Sequence, residues 1–224
     1  MSMEIYLRKD GKMGILTNYI WERAADGGTN PVSLVLQQVK LRGWEICLLC
    51  ISSSSRSESG GYMAEQLVEW FHKVCLPACE GRTVPTPEEL LGPELGRILR
   101  ELTAQEAGSP AAVPDFGGLL LIGSRFYLFG EGEVIIQLVN YRYNRPQLKS
   151  LTAPLSGRIQ KGAGLLLHTP GLVSGLEPEE VCQIMHGEGP WREERLGKRL
   201  RELYQESRSR GNAAEAGGIY LQMV

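Results

Sequence analysis

The amino-acid sequence predicts an α+β fold, a four-layer α-β-β-α sandwich with two antiparallel sheets flanked by helix pairs. Two observations predict it. Short β segments separated by glycine-containing turns occur in two blocks along the chain. Segments with a helical repeat of apolar residues follow each block, and elements segregated in this way build antiparallel sheets covered by helices. Because no internal repeat and no second domain is apparent, residues 1–224 are predicted to form a single domain.

The composition is that of an ordinary globular chain. Hydrophobic residues make up 42% of the 224 residues and charged residues 22%, which leaves enough apolar side chains for a large core. The formal net charge of −2 gives no general attraction to nucleic acid or to anionic membranes. No apolar segment approaches the ~20 residues that span a bilayer, and Met1–Asp10 lacks the apolar stretch of a signal peptide. We therefore expect a cytoplasmic location.

The first block of strands lies in the N-terminal quarter of the chain. Glu4–Arg8 alternates loosely between apolar and polar residues and is predicted to be a strand. Leu34–Leu41 and Trp44–Ile51 are predicted to be paired strands joined by a turn at Arg42-Gly43. The serine-rich segment Ser52–Ser59 is predicted to be a loop that leads into a helix.

Two helices are predicted after this block. The first begins beyond Gly60-Gly61, and its apolar residues recur every four positions as one buried stripe, namely Met63, Leu67, Phe71 and Cys75. The second begins at Thr86-Pro87-Glu88-Glu89, which has threonine at the N-cap, proline at the first helical position and acids in the first turn. Its buried stripe is Leu91, Leu95, Ile98 and Leu102. Gly108–Pro114 is predicted to be a surface connection.

The second β block begins near Gly117. Its first three segments are predicted to form a meander with turns at Gly123-Ser124 and Gly130–Gly132. These segments are Leu119–Ile122, Phe126–Phe129 and Val134–Asn140. The later elements are predicted to be a buried strand at Leu165–His168, a short helix from Glu177 to Met185, a long charged helix at Trp191–Arg210 that buries Leu196, Leu200 and Leu203, and a last strand at Ile219–Val224. Because basic and acidic residues alternate in the long helix, we expect a solvated face there.

Five cysteines and three histidines raise the question of a metal site. Cys47 and Cys50 are three residues apart on a predicted strand, so they point to opposite faces and do not converge on one ion. His72, Cys75 and Cys79 converge only if the local helix ends between them, and structural zinc sites usually have two paired ligand motifs. The five cysteines, which include Cys182, are therefore interpreted as reduced, apolar core residues.

Four segments resemble, in order and spacing, the protein phosphatase 2C family of metal-dependent serine/threonine phosphatases. Gly162–Val181 is similar to the family's strand, Ser-Asp-Gly-Leu turn and following helix, and Leu48–Glu65 is similar to its strand, Asp-Gly-x-Gly-Gly turn and helix. Leu119–Asn140 resembles the hairpin that leads into Gly-Asp-Ser-Arg, with Leu151-Thr152 following later. The long helix and Ile219–Val224 resemble the end of the family's domain, where Asp-Asn precedes the last strand. The resemblance covers essentially the whole chain and implies the α-β-β-α sandwich.

The resemblance also implies where the chemistry of the family would lie. In that family two Mg²⁺ or Mn²⁺ ions bridged by aspartates ionise a water, which attacks the phosphomonoester. The resemblance places the first aspartate at Ser52 or Ser53, the Ser-Asp-Gly aspartate at Pro170, the Asp-Asn pair at Gly217-Gly218, the early Asn-Glu-Asp near Thr17-Asn18-Tyr19, and the phosphate-binding arginine near Gly14.

Aspartate is scarce in this chain. Only three of its 26 acidic residues are aspartates, Asp10, Asp26 and Asp115, and none matches a ligand position of the family. A serine hydroxyl is neutral, and proline and glycine offer no side-chain oxygen, so two dications would repel each other there with nothing to offset the repulsion. The resemblance therefore implies a catalytically inactive member, a pseudophosphatase without a metal cofactor. Such a module is expected to bind a protein partner, for example a kinase or a phosphoprotein, or to act in regulation.

Two alternatives remain open. Glu131 and Glu133 occupy the place of Gly-Asp-Ser-Arg and, together with Glu58, offer carboxylates for one weakly bound cation in a rearranged Mn²⁺- or Mg²⁺-dependent phosphatase. Alternatively, Ser52–Ser59 with Arg56 offers hydroxyls, backbone N–H groups and one positive charge for a phosphate or phosphopeptide, without a metal. His168 has no nameable reacting group beside it and is interpreted as a structural residue at a strand end.

Overall fold

The computed structural model describes residues 14–22, 32–53, 57–81, 83–105, 114–142, 145–186 and 192–224. The strands in these residues are, in chain order, β1 (Ile15–Glu22), β2 (Val32–Leu41), β3 (Trp44–Ser53), β4 (Asp115–Ile122), β5 (Arg125–Glu131), β6 (Ile135–Arg142), β7 (Arg145–Leu151), β8 (Leu155–Arg158), β9 (Gly164–His168) and β10 (Ala216–Met223). The α-helices are α1 (Ser57–Trp70), α2 (Leu76–Cys79), α3 (Pro87–Gln105), α4 (Pro178–His186) and α5 (Glu193–Ser209). The strand predicted at Glu4–Arg8, and nearly all of the connection predicted at Gly108–Pro114, lie outside the described residues.

The chain divides into two compact units, each built on one sheet of five strands. The first unit comprises Met1–Gly28, Ile135–Leu151 and Ile159–Val224, and its strand order is β1-β10-β9-β6-β7. The second comprises Thr29–Val134 and Thr152–Arg158, and its strand order is β2-β3-β4-β5-β8. Every neighbouring pair of strands in both sheets is antiparallel. The predicted α+β class with two antiparallel sheets is confirmed, and a single domain over residues 1–224 stays a prediction.

In the second unit, α1 and α3 cover one face of the sheet. Alternate residues of β3, for example Ile46, Leu48 and Cys50, enter one apolar cluster with side chains from both helices. Both predicted helical stripes are buried in this cluster, which confirms them; they are Met63, Leu67, Phe71 and Cys75, and Leu91, Leu95, Ile98 and Leu102. The four-residue spacing is wider than one α-helical turn, which has about 3.6 residues, so in a regular α-helix the stripe would drift around the helix. The wider π-helical turn at Phe71–Cys75, which joins α1 to α2, keeps the first stripe on one face.

The start of α3 is a capping box, as its sequence predicts. The backbone N–H of Glu89 donates to the Thr86 hydroxyl at 3.3 Å, and the backbone N–H of Thr86 donates to the Glu89 carboxylate at 2.9 Å. These bonds satisfy two N–H groups that the helix ladder leaves without partners. The same carboxylate has its pKa lowered by the Thr86 backbone bond.

In the first unit, β10 lies between β1 and β9 and is buried along its whole length. The predicted face of α5 is confirmed, because Leu196, Leu200 and Leu203 are fully buried in an apolar cluster that also holds Tyr220 of β10. The predicted short helix is α4. No helix in the described part of the chain is long and apolar enough to cross a membrane.

The predicted meander is wrong in its third strand. Leu119–Ile122 and Phe126–Phe129 do pair, within β4 and β5, but Val134–Asn140 lies in the other sheet, where β6 pairs with β7 and β9. The free edge of β5 is taken by β8 instead, and Gly132, with φ of 86°, turns the chain away from β5.

The predicted boundaries of the serine-rich loop also need correction. Ser52 and Ser53 belong to β3, because their backbones pair with β2 and β4, and α1 begins at Ser57. Gly60-Gly61 therefore lies inside the first turns of α1 and not before it. Three strands were not predicted, namely β1, β7 and β8.

The capping box gives a direct test of the start of α3. Replacing Thr86 with alanine removes the hydroxyl acceptor, and we expect the free energy of unfolding to fall by about 1 kcal/mol. Thr103 of the same helix is the matched control, since its hydroxyl donates within the helix, to the Leu99 and Arg100 carbonyls at 3.0 and 2.9 Å, and accepts no backbone N–H in the described part of the chain. We expect Thr103→Ala to change stability by less than about 0.5 kcal/mol. Urea denaturation at constant pH measures both; equal losses would contradict the capping role.

Candidate functional site

Ser52, one of the two positions matched to the first aspartate, is a buried packing residue. Its side chain is 1% exposed, and its hydroxyl donates to the Gly60 carbonyl at 3.2 Å. A Cβ added to Gly60 would lie only 3.1 Å from the Ser52 hydroxyl oxygen, so the two backbones approach closely here. The hydroxyl thus joins the end of β3 to the first turn of α1.

Ser53, the other such position, has an aspartate as its neighbour. Asp115 is the first residue of β4 and pairs directly with Ser53 across the two strands. A Cβ on Gly132 would lie 1.8 Å from the Asp115 Oδ1 atom, so the carboxylate rests against the Gly132 backbone. The sequence matched Asp115 to no ligand position, and the structure brings it to the strand end where the first aspartate was expected. Only the pairing of β3 with β4, which the sequence does not specify, reveals this neighbour.

The two glutamates proposed for a rearranged site lie at the same end of this sheet. Glu131 ends β5 opposite Phe116, the residue after Asp115, and Glu133 follows in the connection to β6; both side chains are exposed. Arg56 and the side chain of Glu58 lie outside the described residues. Within the part of the chain that the structure describes, no group of three or more His, Cys, Asp or Glu side chains could hold a metal ion.

In the first unit, Pro170 and Gly217 lie beside a pair of hydrogen bonds that joins the end of β9 to β10. Thr169, the residue before the exposed Pro170, donates its N–H to the Gly217 carbonyl at 2.9 Å. The Gly217 N–H donates to the Thr169 hydroxyl at 3.0 Å. The Thr169 hydroxyl therefore serves as a hydrogen-bond acceptor for the backbone of β10. Proline at 170 begins a short 3₁₀ turn, Pro170–Leu172, and supplies no side-chain ligand.

Gly218, the second glycine of that pair, is packed against an apolar side chain. A Cβ on Gly218 would lie 2.4 Å from Cδ2 of Leu172, which is itself fully buried. A Cβ on Gly171 would lie 2.2 Å from the carbonyl oxygen of Glu215, a backbone atom with no freedom to move aside. The space that an aspartate side chain would need at 218 is therefore filled by Leu172.

A polar cluster that the sequence analysis missed holds this turn in place. Ser207 of α5 is fully buried, and its hydroxyl donates to the Ser174 carbonyl at 2.9 Å. The Asn212 amide donates to the Ser207 oxygen at 2.9 Å and to the Gly171 carbonyl at 2.5 Å. Ser207 lies four residues after Leu203, so it continues the buried stripe of α5, and that spacing is the signal by which it could have been found.

His168 is a buried structural residue, as its contacts indicate. Its side chain is fully buried, with Nδ1 2.8 Å from the Thr169 carbonyl oxygen and Nε2 3.2 Å from the Gln137 amide oxygen. Burial lowers the pKa of His168 to about 4, although the bond to Thr169 acts in the opposite direction. The ring is therefore neutral near pH 7, with Nδ1 donating to Thr169. The ring is enclosed by the Thr169 carbonyl and the Gln137 side chain and has no solvent access, so it is not placed for proton transfer.

The positions matched to the early arginine and to Asn-Glu-Asp are also packing positions. Gly14 exchanges two backbone hydrogen bonds of 2.9 Å with Val224. The Asn18 amide donates to the Glu193 carbonyl at 3.1 Å and lies over Gly197, where a Cβ would be 3.0 Å from it. Asn18 therefore fixes β1 against α5, and Gly14 joins the start of β1 to Val224, just beyond β10. Tyr19, beside them, is exposed.

The cysteines lie where the sequence interpretation places them. All five are free and buried. Cys50 belongs to the cluster between β3 and the helices, and Cys47 does not, which confirms their opposite faces. Burial raises the pKa of Cys50 to about 12. His72 is exposed and contacts the Gln37 amide oxygen at 3.3 Å, whereas Cys75 and Cys79 are buried, so this triplet does not converge.

Comparison with known proteins identifies the fold through structure alone. No protein-family model matches the sequence, and no curated protein matches it. A serine/threonine phosphatase from Staphylococcus aureus matches with a TM-score of 0.69 and 11% identity, over 97% of this chain and 99% of that one. The serine/threonine phosphatase PstP/Ppp of Mycobacterium tuberculosis matches with 0.62 and 12%, over 93% and 98%. PppA, a regulatory component of T6SS in Pseudomonas aeruginosa, matches with 0.65 and 10%, over 94% and 98%.

These matches define the class of fold. The chain has the fold of bacterial serine/threonine phosphatases of the phosphatase 2C type, which confirms the predicted sandwich class. At 10–12% identity the likeness carries the fold and not the activity.

The burial of His168 predicts a loss of stability in acid. Because its pKa is about 4 in the fold and 6.5 in the unfolded chain, the unfolded chain binds the proton first as the pH falls. The stabilisation from the neutral ring is therefore present above pH 6.5 and is lost towards pH 4. We expect about 2 kcal/mol of the loss between pH 7.5 and pH 5 to come from this group, and His168→Gln to lack that part. Urea denaturation of both proteins at the two pH values measures it; parallel profiles would contradict the assignment.

The packing at Gly218 predicts that even one added methyl group destabilises the fold. We expect Gly218→Ala to lower the free energy of unfolding by about 1–3 kcal/mol, because Leu172 must move from its buried position. Gly61 of α1 is the matched control, since a Cβ there meets nothing within 4 Å. Alanine at 61 should stabilise the helix by up to about 1 kcal/mol. A Gly218→Ala protein as stable as the parent, in thermal or urea denaturation, would show that the site has room.

Proposed function

We propose that this chain is a catalytically inactive phosphatase-2C-like domain, a pseudophosphatase, that works as a protein-binding or regulatory module without a metal cofactor. The observation that carries the proposal is the packing at the expected ligand positions. Leu172 fills the space beside Gly218, and the Ser52 hydroxyl is bonded to the Gly60 carbonyl. These positions hold packing and backbone contacts in a fold whose core is otherwise intact.

The chemistry of the donors supports the same conclusion. Mg²⁺ and Mn²⁺ require several anionic oxygen ligands, and two such ions close together require carboxylates between them. Pro170, Gly217 and Gly218 have no side-chain oxygen, and the hydroxyls of Ser52 and Thr169 are neutral and already bonded. The residues at these positions therefore do not fit a two-metal centre.

A kept scaffold without its ligands is suited to binding another protein. The partner in this proposal is a kinase or a phosphoprotein in the cytoplasm, by analogy with the serine/threonine phosphatases that share the fold. In this proposal the folded domain provides the surface that binds the partner, and the former ligand positions take no part in catalysis.

A second candidate, a phosphatase with one weak and rearranged Mn²⁺ or Mg²⁺ site, is favoured by a single observation. Asp115 stands beside Ser53, at the sheet end that also carries Glu131 and Glu133. Two carboxylates near one another can bind one hard cation weakly. The third candidate, phosphopeptide binding through Ser52–Ser59, has less support, because the Ser52 hydroxyl is already bonded and Ser53 belongs to β3.

Titration with metal distinguishes the first two candidates. We expect calorimetric titration of the purified chain with MnCl₂ and MgCl₂ to show no saturable binding below about 1 mM, the affinity that ~4 kcal/mol provides. We also expect no Mn²⁺-dependent hydrolysis of a phosphomonoester. The variants are Asp115→Asn and, as the control, Glu65→Gln on the exposed surface of α1.

The outcomes separate cleanly. Binding or hydrolysis that disappears in Asp115→Asn and persists in Glu65→Gln would contradict the proposal and establish the rearranged site. A null titration, together with a protein partner that copurifies in fixed stoichiometry, supports the pseudophosphatase.

A further inference from the structure

A concave site lies at the end of the second unit's sheet that is opposite to the Ser53 end of β3. β3 runs from Trp44 to Ser53, so the β2–β3 turn is separated from the Ser53 end by about 30 Å of strand. Beside that turn is a cavity of about 470 Å³, which is within the range of small-molecule sites. Its lining includes Arg42, Trp44, Val84, Ile122 and Arg125.

Trp44 presents a fixed aromatic surface to this cavity. Its indole ring lies on the backbone of Gly123, where an added Cβ would be 2.6 Å from the ring atom Cε3. Gly123 has φ of 63° and donates its N–H to the Glu45 carbonyl at 2.7 Å, so the turn beneath the ring is anchored. The side chain is nevertheless 46% exposed. One side of the ring is held by the protein, and the rest is available to stack on a planar group.

Arg42 is an unusual residue for its place in the turn. It has φ of 49°, followed by Gly43 with φ of 86°, a two-residue turn in which asparagine is strongly preferred at the first position. An arginine in this left-handed conformation carries a backbone cost that asparagine largely avoids. In the described part of the chain no hydrogen bond or ion pair uses its guanidinium, and the side chain is exposed at the cavity. No described contact within the fold therefore accounts for an arginine at this position.

Arg125 adds a second positive charge, and among the described residues it forms no ion pair. It pairs across the strands with Arg158 of β8, and like charges directly opposite each other on a sheet destabilise it. Its charge acts on Glu89, whose carboxylate is already bonded to the Thr86 backbone N–H. An anion in the cavity would offset the repulsion between these arginines.

We propose that this cavity binds a small anionic ligand that carries a planar ring, with a nucleoside monophosphate as the representative of the class. The phosphate lies between the guanidinium groups of Arg42 and Arg125, which match phosphate oxygens in geometry and charge. The ring stacks on Trp44, with Val84 and Ile122 as the apolar floor. The site lies far along β3 from Ser52 and Ser53, and the proposal does not depend on whether the domain is catalytic.

Calorimetric titration with AMP, adenosine and inorganic phosphate tests the proposal. We expect AMP to bind with a dissociation constant below about 1 mM. Adenosine should bind at least about 10-fold more weakly, because it lacks the charge, and phosphate at least about 10-fold more weakly, because it cannot stack. No saturation with AMP up to about 10 mM, or phosphate binding as tightly as AMP, would overturn the proposal.

Three variants locate the binding. Arg42→Asn and Trp44→Leu should each weaken AMP binding by about 10-fold, whereas Arg100→Gln, an exposed arginine on α3, should leave it unchanged. Asparagine suits the turn, so Arg42→Asn should keep or raise the midpoint of urea denaturation, which separates a lost ligand contact from unfolding. Equal AMP affinity in the parent and Arg42→Asn proteins would sink the assignment.

Discussion

The burial of the central strands is the constraint on which the rest of this structure depends. β4 is buried at seven consecutive residues, and β9 and β10 are buried throughout. A strand buried at consecutive positions is covered on both faces, because successive side chains point to opposite sides. Charged side chains are therefore excluded from the middle of these sheets and are confined to strand ends, turns and edges.

Polar side chains that enter the buried region beside β9 and β10 are hydrogen-bonded within the protein. The Tyr220 hydroxyl donates to the Gln222 side-chain oxygen at 2.8 Å, and the Gln222 amide donates to the Ala163 carbonyl at 3.2 Å. His168 donates from Nδ1 to the Thr169 carbonyl at 2.8 Å. A buried polar group without a partner costs free energy, so each of these groups serves the fold and is not free for chemistry. Reactive or binding groups have to be sought at the strand ends.

The sequence predicts best the features that are local. The four-residue stripe of α1 and the capping box at Thr86 are set by neighbours in the chain, and the Arg42-Gly43 hairpin is set by its turn. It predicts poorly what depends on pairing between distant segments. β7 was missed because Arg145–Leu151 carries polar residues and Pro146, which an edge strand tolerates. The sheet that β6 joins, and the position of Asp115 beside Ser53, follow from strand pairing, which hydrophobic spacing does not encode.

The position of Asp115 changes how the shortage of aspartate is interpreted. The number of carboxylates matters less than their places, and one aspartate does stand at a strand end where the resemblance asks for a ligand. Its carboxylate is held against the Gly132 backbone, and the nearby glutamates are exposed to water, which competes with them for a hard cation. A single weak ion at such a place lacks the second dication that would share the charge of a phosphoryl group and activate the attacking water. No carboxylate is present at 217 or 218 to hold a second dication. Leu172 packs against Gly218 there, and Thr169 is hydrogen-bonded to Gly217. One well-placed aspartate therefore supports weak cation binding more readily than it supports catalysis.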